Sequence, residues 1–283
     1  MQICKTKSDL RHLRQWWRGE GMRVGLVPTM GYLHEGHLTL VRRARAANDR
    51  VIVTVFVNPT QFGPAEDLDT YPRDAARDLD LLRAEGVDAV FLPSPDEMYH
   101  PDAQTVVETT ELSRILIGKL RPGHFRGVAT VVAKLLHLAQ PDTAYFGEKD
   151  YQQLVVIRTM VRDLDMPYAI EGVATVRDRD GLALSSRNVR LAPEDRAAAP
   201  VLNRALDEAE ALARDGTTVA RLRAWVRDTV ASEPRAEVQS VDIRDAESLA
   251  PLKGPLDRPA VILLAVRFGS VLLIDQRVVR PET

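Results

Sequence analysis

The run Val51-Ile52-Val53-Thr54-Val55-Phe56-Val57 limits the fold more than any other feature of this chain. It is β-branched and apolar at successive positions, so as a strand it must be covered on both faces, the condition of a parallel sheet with helices on either side. Asn58-Pro59 stops it. The preceding run, Val24-Gly25-Leu26-Val27, closes at Pro28, and Leu38, Val41, Ala44 and Arg45 then follow at helical spacing as far as Asn48-Asp49. Further on, a helix opens near Pro72 and ends at Gly86, and residues 88–92 read as a strand. A less regular segment reaches about Leu120, and an apolar helix over 128–139 breaks before Pro141. Residues 143–146 then read as strand, 150–164 as helix and 168–176 as strand. Repeated βα units of this length predict an α/β domain over residues 1–176, a mostly parallel sheet whose ligands sit beyond the carboxyl ends of its strands.

After Val176 the pattern changes. A polar turn, Arg177-Asp178-Arg179-Asp180-Gly181, leads into an Ala/Arg/Glu-rich region with two apolar stripes, Leu202, Leu206, Ala209, Leu212 and then Leu222, Trp225, Val226, Val230. Strand-like runs follow at 238–243, 260–266 and 271–274, the last two flanking Arg267-Phe268-Gly269-Ser270 like a hairpin. Residues 177–283 are therefore expected to form a second, smaller α+β domain.

Charge and cysteine content narrow the function. With 38 Lys+Arg against 40 Asp+Glu the net charge is −2, which supplies no field for nucleic acid or anionic lipid. The single cysteine, Cys4, excludes an intramolecular disulfide framework and any Cys-rich metal site, and fits a reducing compartment. No run approaches the roughly 18 apolar residues that span a bilayer. The expectation is a soluble cytoplasmic protein working on small molecules, with no nucleic-acid or membrane partner.

The chemistry-bearing residues gather at strand ends. Pro28-Thr29-Met30-Gly31-Tyr32-Leu33-His34-Glu35-Gly36-His37 lies between the first strand and its helix, where glycines allow close backbone approach and helix N-terminal N–H groups favour an anion. His34 and His37 stand three apart, not at the i, i+4 spacing of a His-Glu-x-x-His zinc helix, so phosphate handling fits better than metal hydrolysis. Neither a Walker loop nor a Gly-x-Gly-x-x-Gly turn is present. Asn58-Pro59-Thr60-Gln61-Phe62-Gly63 brings two neutral amides able to bond a hydroxyl or carboxylate. Phe146-Gly147-Glu148-Lys149-Asp150-Tyr151-Gln152-Gln153 sets a cation just before a helix, and Leu184-Ser185-Ser186-Arg187-Asn188 sets two hydroxyls beside a guanidinium, a combination suited to a polyphosphate. Arg121-Pro122-Gly123-His124-Phe125-Arg126-Gly127 is a basic turn with a lining role.

In this order and spacing, Pro-Thr-Met-Gly-x-Leu-His-x-Gly-His, Phe-Val-Asn-Pro-x-Gln-Phe, Arg-Pro-Gly-His-Phe-x-Gly-Val, Phe-Gly-Glu-Lys-Asp-x-Gln-Gln and Leu-Ser-Ser-Arg-Asn resemble the pantoate–β-alanine ligase family across Val24 to Asn188. The resemblance implies a Rossmann-like nucleotidyltransferase domain, a C-terminal lid domain that closes to exclude water, and a cytoplasmic homodimer. The implied reaction joins pantoate to β-alanine at the expense of ATP, through a pantoyl adenylate, giving pantothenate, AMP and pyrophosphate. It also implies that Met30, Gly31, Tyr32, Leu33, His34, Glu35, Gly36 and His37 bind ATP, with His37 the principal catalytic residue and proton donor. Gly147, Glu148, Lys149 and Asp150 would contact the nucleotide, Val176 would touch adenine through its backbone, and Leu184, Ser185, Ser186 and Arg187 would close on the phosphates. Gln61 and Gln153 would hold pantoate, with Gln61 also near β-alanine. His34, His37, Lys149, Arg187 and a magnesium ion would stabilise the charge that builds on the phosphates; Asp78 and Asp80 are both candidates for the acid of the magnesium shell. Tyr32 departs from the small residue often found there. Two alternatives stay open: another nucleotidyltransferase sharing the His-x-Gly-His loop, or a non-catalytic nucleotide- or metal-binding protein.

Overall fold

A computed structural model describes residues 1–63 and 68–282. The first compact unit comprises 1–147 and 156–174, the second 148–155 and 175–283. In chain order the elements are β1 (Gln2–Cys4), α1 (Lys7–Gly19), β2 (Val24–Thr29), α2 (Glu35–Ala47), β3 (Arg50–Val55), α3 (Ala75–Ala84), β4 (Ala89–Phe91), α4 (Pro95–Met98), α5 (Ile117–Leu120), α6 (His124–Ala139), β5 (Thr143–Gly147), α7 (Tyr151–Asp163) and β6 (Ala169–Val173). There follow α8 (Pro193–Ala198), α9 (Val201–Arg214), α10 (Val219–Ala231), β7 (Ala236–Asp245), β8 (Ala260–Phe268) and β9 (Val271–Val279).

The first unit is built on a six-stranded sheet of order β1-β4-β3-β2-β5-β6, parallel throughout. Val51, Ile52 and Val53 are fully buried, as are Val24, Leu26 and Val27, which accounts for the double-faced apolar pattern. From β2 the chain winds outward through β3 to β4, then returns to place β5 on the other side of β2. That reversal makes the carboxyl ends of β2 and β5 the switch point where such sheets bind ligands. Pro28 does not end β2: it pairs in register with Thr54, and the strand runs on to Thr29. Helix α6 opens at His124, four residues before the expected start, so the Arg121–Gly127 block is a helix entry rather than a free turn. The N-terminal β1 and α1 have no counterpart in the sequence reading. β1 buries a single side chain, Cys4, and among the described residues pairs with β4 alone.

The second unit carries a three-stranded antiparallel sheet, β7-β8-β9, covered by α9 and α10 through their apolar stripes, except that Trp225, expected in the second stripe, is 45 % exposed. Leu202, Leu206, Leu222, Val226 and Val230 share one core with Ile243, Ile262, Leu264 and Phe268. The hairpin loop is two residues, since Phe268 pairs with Val271. The first unit's chain ends at Ala174, two residues before the expected boundary, and Glu148–Val155 groups with the second unit. Tyr151 in that segment donates its phenol to the carbonyl of Ala246 at 2.8 Å. Among the described residues no helix is long and apolar enough to cross a membrane.

Candidate active site

The loop leaving β2 is shaped by backbone sterics. Gly31 has φ +82° and Tyr32 φ +51°, both left-handed. A Cβ on Gly31 would stand 2.9 Å from Asp78 Oδ2 and from Val55 Cγ1, so only glycine fits. Tyr32 adopts the same region at a steric cost, and the Arg77 guanidinium lies 5.6 Å from its ring centroid. Here the departure from a small residue has a partner on α3. Thr29 Oγ1 accepts from Gly31 N–H at 3.2 Å and donates to the Thr54 carbonyl at 2.6 Å, tying the start of the loop to β3.

The two histidines cap helix α2. Gly36 N–H donates to His34 Nδ1 at 3.1 Å, and His34 N–H donates to His37 Nδ1 at 3.3 Å. This is a capping box with imidazoles in place of the usual Ser/Thr and Glu, and its i, i+3 spacing is the spacing of His-x-Gly-His. Because each Nδ1 accepts, the ring proton of each neutral imidazole resides on Nε2. The rings lie tilted at 39° to one another with centroids 4.1 Å apart. The expected open set of helix N–H groups is thus partly consumed by the histidines. The side chains of two other loop residues are engaged within the protein. Leu33 is 1 % exposed in the core beneath β2 and β3, and Glu35 pairs with Arg42.

Gln61 ends a 3₁₀ turn, Pro59–Gln61, that follows β3. Its Nε2 lies 3.0 Å from Met30 Sδ, which brings the two blocks together. Asn58, the other amide of this block, is buried and hydrogen-bonded within the protein. Its Nδ2 donates to Gln61 Oε1 and the Gly127 carbonyl, both at 3.2 Å, while its Oδ1 accepts from the Tyr99 phenol at 2.8 Å and from Thr60. Burial pushes the Tyr99 phenol up, which keeps it protonated as that donor. His124 Nδ1 lies 2.9 Å from the Gln61 carbonyl and its Nε2 3.1 Å from Arg121 Nη1. The lining role expected of the Arg121–Gly127 block is therefore exercised on the backbone of Gln61.

The remaining expected residues lie in the second unit, except Gly147, the last residue of β5. Lys149 sits in a 3₁₀ turn, Glu148–Asp150, with its side chain 18 % exposed and its Nζ 3.9 Å from Asp150 Oδ1. Gln152 is buried and Gln153 half-buried at the start of α7. Val176 and Leu184 face each other across a hairpin-like turn, the Leu184 N–H donating to the Val176 carbonyl at 2.9 Å. The turn is anchored by Arg177, whose guanidinium forks onto the fully buried Asp275 at 2.7 and 2.9 Å. Ser185 Oγ accepts from Arg187 N–H at 3.2 Å, and Asn188 Nδ2 donates to the Ala183 carbonyl at 3.0 Å, so Ser185–Arg187 is a braced loop. Arg196 holds the Asp180 carboxyl below the usual carboxylate range.

The two acids offered for a magnesium shell do not fit it. Asp78 is 1 % exposed and both its oxygens accept loop N–H groups, from Leu33 and Tyr32, at 2.7 Å each. Asp80 is exposed and pairs with Arg83 at 2.7 Å. Among the described residues no group of three His, Cys, Asp or Glu side chains could hold a metal ion.

Known proteins resemble this chain along its whole length. A model of the pantoate-beta-alanine ligase family matches residues 2–278. Pantothenate synthetase of Bartonella tribocorum is 52 % identical over 283 residues, covering 100 % of this chain and 99 % of that protein. The enzyme of Agrobacterium fabrum is also 52 % identical, with 100 % and 97 % covered. The crystal structure of pantothenate synthetase from Thermus thermophilus superposes with a TM-score of 0.93 at 48 % identity, covering 99 % of this chain and all of that one. A pantoate-beta-alanine ligase from Francisella tularensis, complexed with beta-gamma ATP and beta-alanine, superposes with a TM-score of 0.81 at 34 % identity over 98 % and 97 % of the two chains.

Proposed function

The chain belongs to the pantoate–β-alanine ligase family, and we infer from that premise, together with the site's geometry, how its own residues carry the reaction. It is an ATP-dependent ligase that condenses pantoate with β-alanine, releasing pantothenate, AMP and pyrophosphate. A carboxylate is a poor acyl donor. Pantoate oxygen therefore attacks the α-phosphorus of ATP, the α–β phosphoanhydride breaks, and pyrophosphate leaves. The β-alanine amine then attacks the acyl carbon of the pantoyl adenylate and AMP departs with the bonding electrons, while the amine loses a proton.

The observation that carries the assignment of roles is the pair of imidazoles at the carboxyl end of β2, each with its Nδ1 accepting a backbone N–H, an arrangement that puts the proton of a neutral ring on Nε2. Such donors, aimed where charge builds on phosphate oxygens, stabilise the transition state without reorganising. We assign His37 as the proton donor and His34 as its partner on the phosphates. Met30, Gly31, Tyr32, Leu33, Glu35, Gly36, Gly147, Glu148, Asp150, Val176, Leu184, Ser185 and Ser186 are the remaining nucleotide contacts in this proposal, with Lys149 and Arg187 supplying fixed cationic charge. Gln61 and Gln153 hold pantoate; Gln61 presents Nε2, now resting on Met30 sulfur, a weak acceptor that a pantoate oxygen replaces at a gain. Magnesium enters as the counter-ion of the ATP triphosphate, part of the substrate. The proposal extends to a homodimer working in the cytoplasm, which sedimentation would test as twice 31.5 kDa.

The decisive measurement is exchange of labelled pyrophosphate into ATP. It should require pantoate and proceed without β-alanine; exchange that fails with pantoate present would overturn the two-step reading. AMP release in steady state should need both acids.

A further inference from the structure

The Asp78 carboxylate sits across the active-site loop in a place the reaction does not explain. It lies on the first turns of α3, is 1 % exposed, and accepts hydrogen bonds of 2.7 Å from the consecutive N–H groups of Tyr32 and Leu33. Those two groups form a concave pair of donors in a left-handed stretch of backbone, the geometry that elsewhere holds an anion. In this chain the anion is built in. Its neighbour completes the grip: Arg77 Nη1 donates to the Leu33 carbonyl at 2.9 Å, and its guanidinium covers the Tyr32 ring. Helix α3 thus holds both peptide groups flanking Leu33, one residue before His34 begins the capping box.

We propose that Asp78 is a positioning residue of the ligase, holding the Tyr32–Leu33 peptide so that the His34 and His37 Nε2–H groups stand fixed in space, with Arg77 as the second jaw. This deepens the functional reading above and rests on it. Two further observations support it. Tyr32 occupies a left-handed conformation that a non-glycine residue keeps only when the surroundings impose it, and the Asp78 bonds are that imposition. Beside the loop there is room to relax: a cavity of about 230 Å³ is lined by Gly31, Tyr32, Val55, Phe56 and Asp78 itself. With the carboxylate gone, the loop can move into that space and carry the histidines with it.

The test compares Asp78→Asn with wild type. An asparagine offers one carbonyl oxygen to two N–H donors and turns its own NH₂ on the other, so one bond is lost and a donor–donor conflict replaces it. The expected result is a fall in kcat for pantoate-dependent pyrophosphate exchange of about 10²-fold, the usual cost of ångström-scale misplacement. KM for pantoate should stay within about threefold, and the magnesium activation midpoint should not move. Hydrogen exchange of the Tyr32 and Leu33 amides, measured without substrates, should accelerate. A shifted magnesium midpoint with activity restored by excess magnesium would make Asp78 a metal ligand and overturn the proposal, as would unchanged kcat. Should Asp78→Asn not fold, the half-exposed Arg77→Leu decides: a several-fold loss of kcat with faster loop exchange supports the clamp, and wild-type values refute it. Absence of exchange activity in the wild-type protein itself would instead sink the functional reading, leaving the amide-exchange result to judge the clamp alone.

Discussion

Gly127→Ala tests whether the pantoate-holding glutamine owes its position to the packing of α6. A Cβ at Gly127 would lie 2.4 Å from the Thr60 carbonyl oxygen and 2.6 Å from the Thr60 carbonyl carbon and Gln61 Cα, where ordinary contact begins at 3.4 Å. The obstruction is backbone, so no rotamer relieves it; the turn Pro59–Gln61 must withdraw by about 1 Å, stretching the 3.2 Å bond from Asn58 to the Gly127 carbonyl. Overpacking of this kind costs about 1–3 kcal/mol, offset in part by the ~1 kcal/mol that alanine gains over glycine inside a helix. A melting-point drop of a few degrees is expected for a unit of this size. The larger effect falls on the site. Moving Gln61 by ~1 Å should lower kcat/KM for pantoate on the order of 10²-fold, while KM for ATP changes little. Steady-state kinetics with each substrate varied, alongside a thermal melt, reads both. Gly19→Ala is the control, since a Cβ there meets nothing within 4 Å. A Gly127→Ala enzyme with kcat/KM for pantoate within twofold of wild type would refute the claim that this contact positions Gln61.

Three other outcomes are expected. His34→Asn keeps a side chain able to cap α2 but removes the Nε2–H, so it should melt near wild type yet lose ~10²–10³ in kcat, whereas His34→Ala should also lose about 1 kcal/mol of stability; equal melting of the two would remove His34 from the cap. Arg177→Met leaves Asp275 buried without its forked partner and should destabilise the protein by about 3–5 kcal/mol in urea unfolding, a loss under 1 kcal/mol showing that the pair does not anchor the turn. Burial pushes the Cys4 thiol up to about 11, so the folded thiol stays neutral while an unfolded one ionises near its ordinary value. Stability tied to this group is intact below pH ~8.5 and is lost as pH rises from there toward 11. Native protein at pH 8 should accordingly react slowly with a disulfide reagent and rapidly once denatured; fast native labelling would contradict the burial.

Local pattern carried the long elements. The run at Val51 is apolar on both faces because β3 lies inside the sheet, and the stripes at Leu202 and Leu222 are one-sided because α9 and α10 cover only one face of theirs. It did not carry β1, where three residues bury one side chain, too little for any period to register. At the site, the blocks holding His34, His37, Gln61, Lys149 and Arg187 stood out by composition at strand ends. Their division of labour did not, nor did the burial of the Asn58 and Leu33 side chains.

By itself the sequence determined which segments must be buried, which residues can bear charge or donate protons, and, through a family likeness extending over nearly the whole chain, which reaction they perform. Tertiary structure alone decided the strand order that makes β2 and β5 neighbours, and the capture of the Tyr32 and Leu33 amides by an aspartate 46 and 45 residues away. The reason is physical. Burial and helix capping are written in side chains a few positions apart, whereas a hydrogen bond across the fold depends on where two distant backbones come to rest, and no local period encodes that.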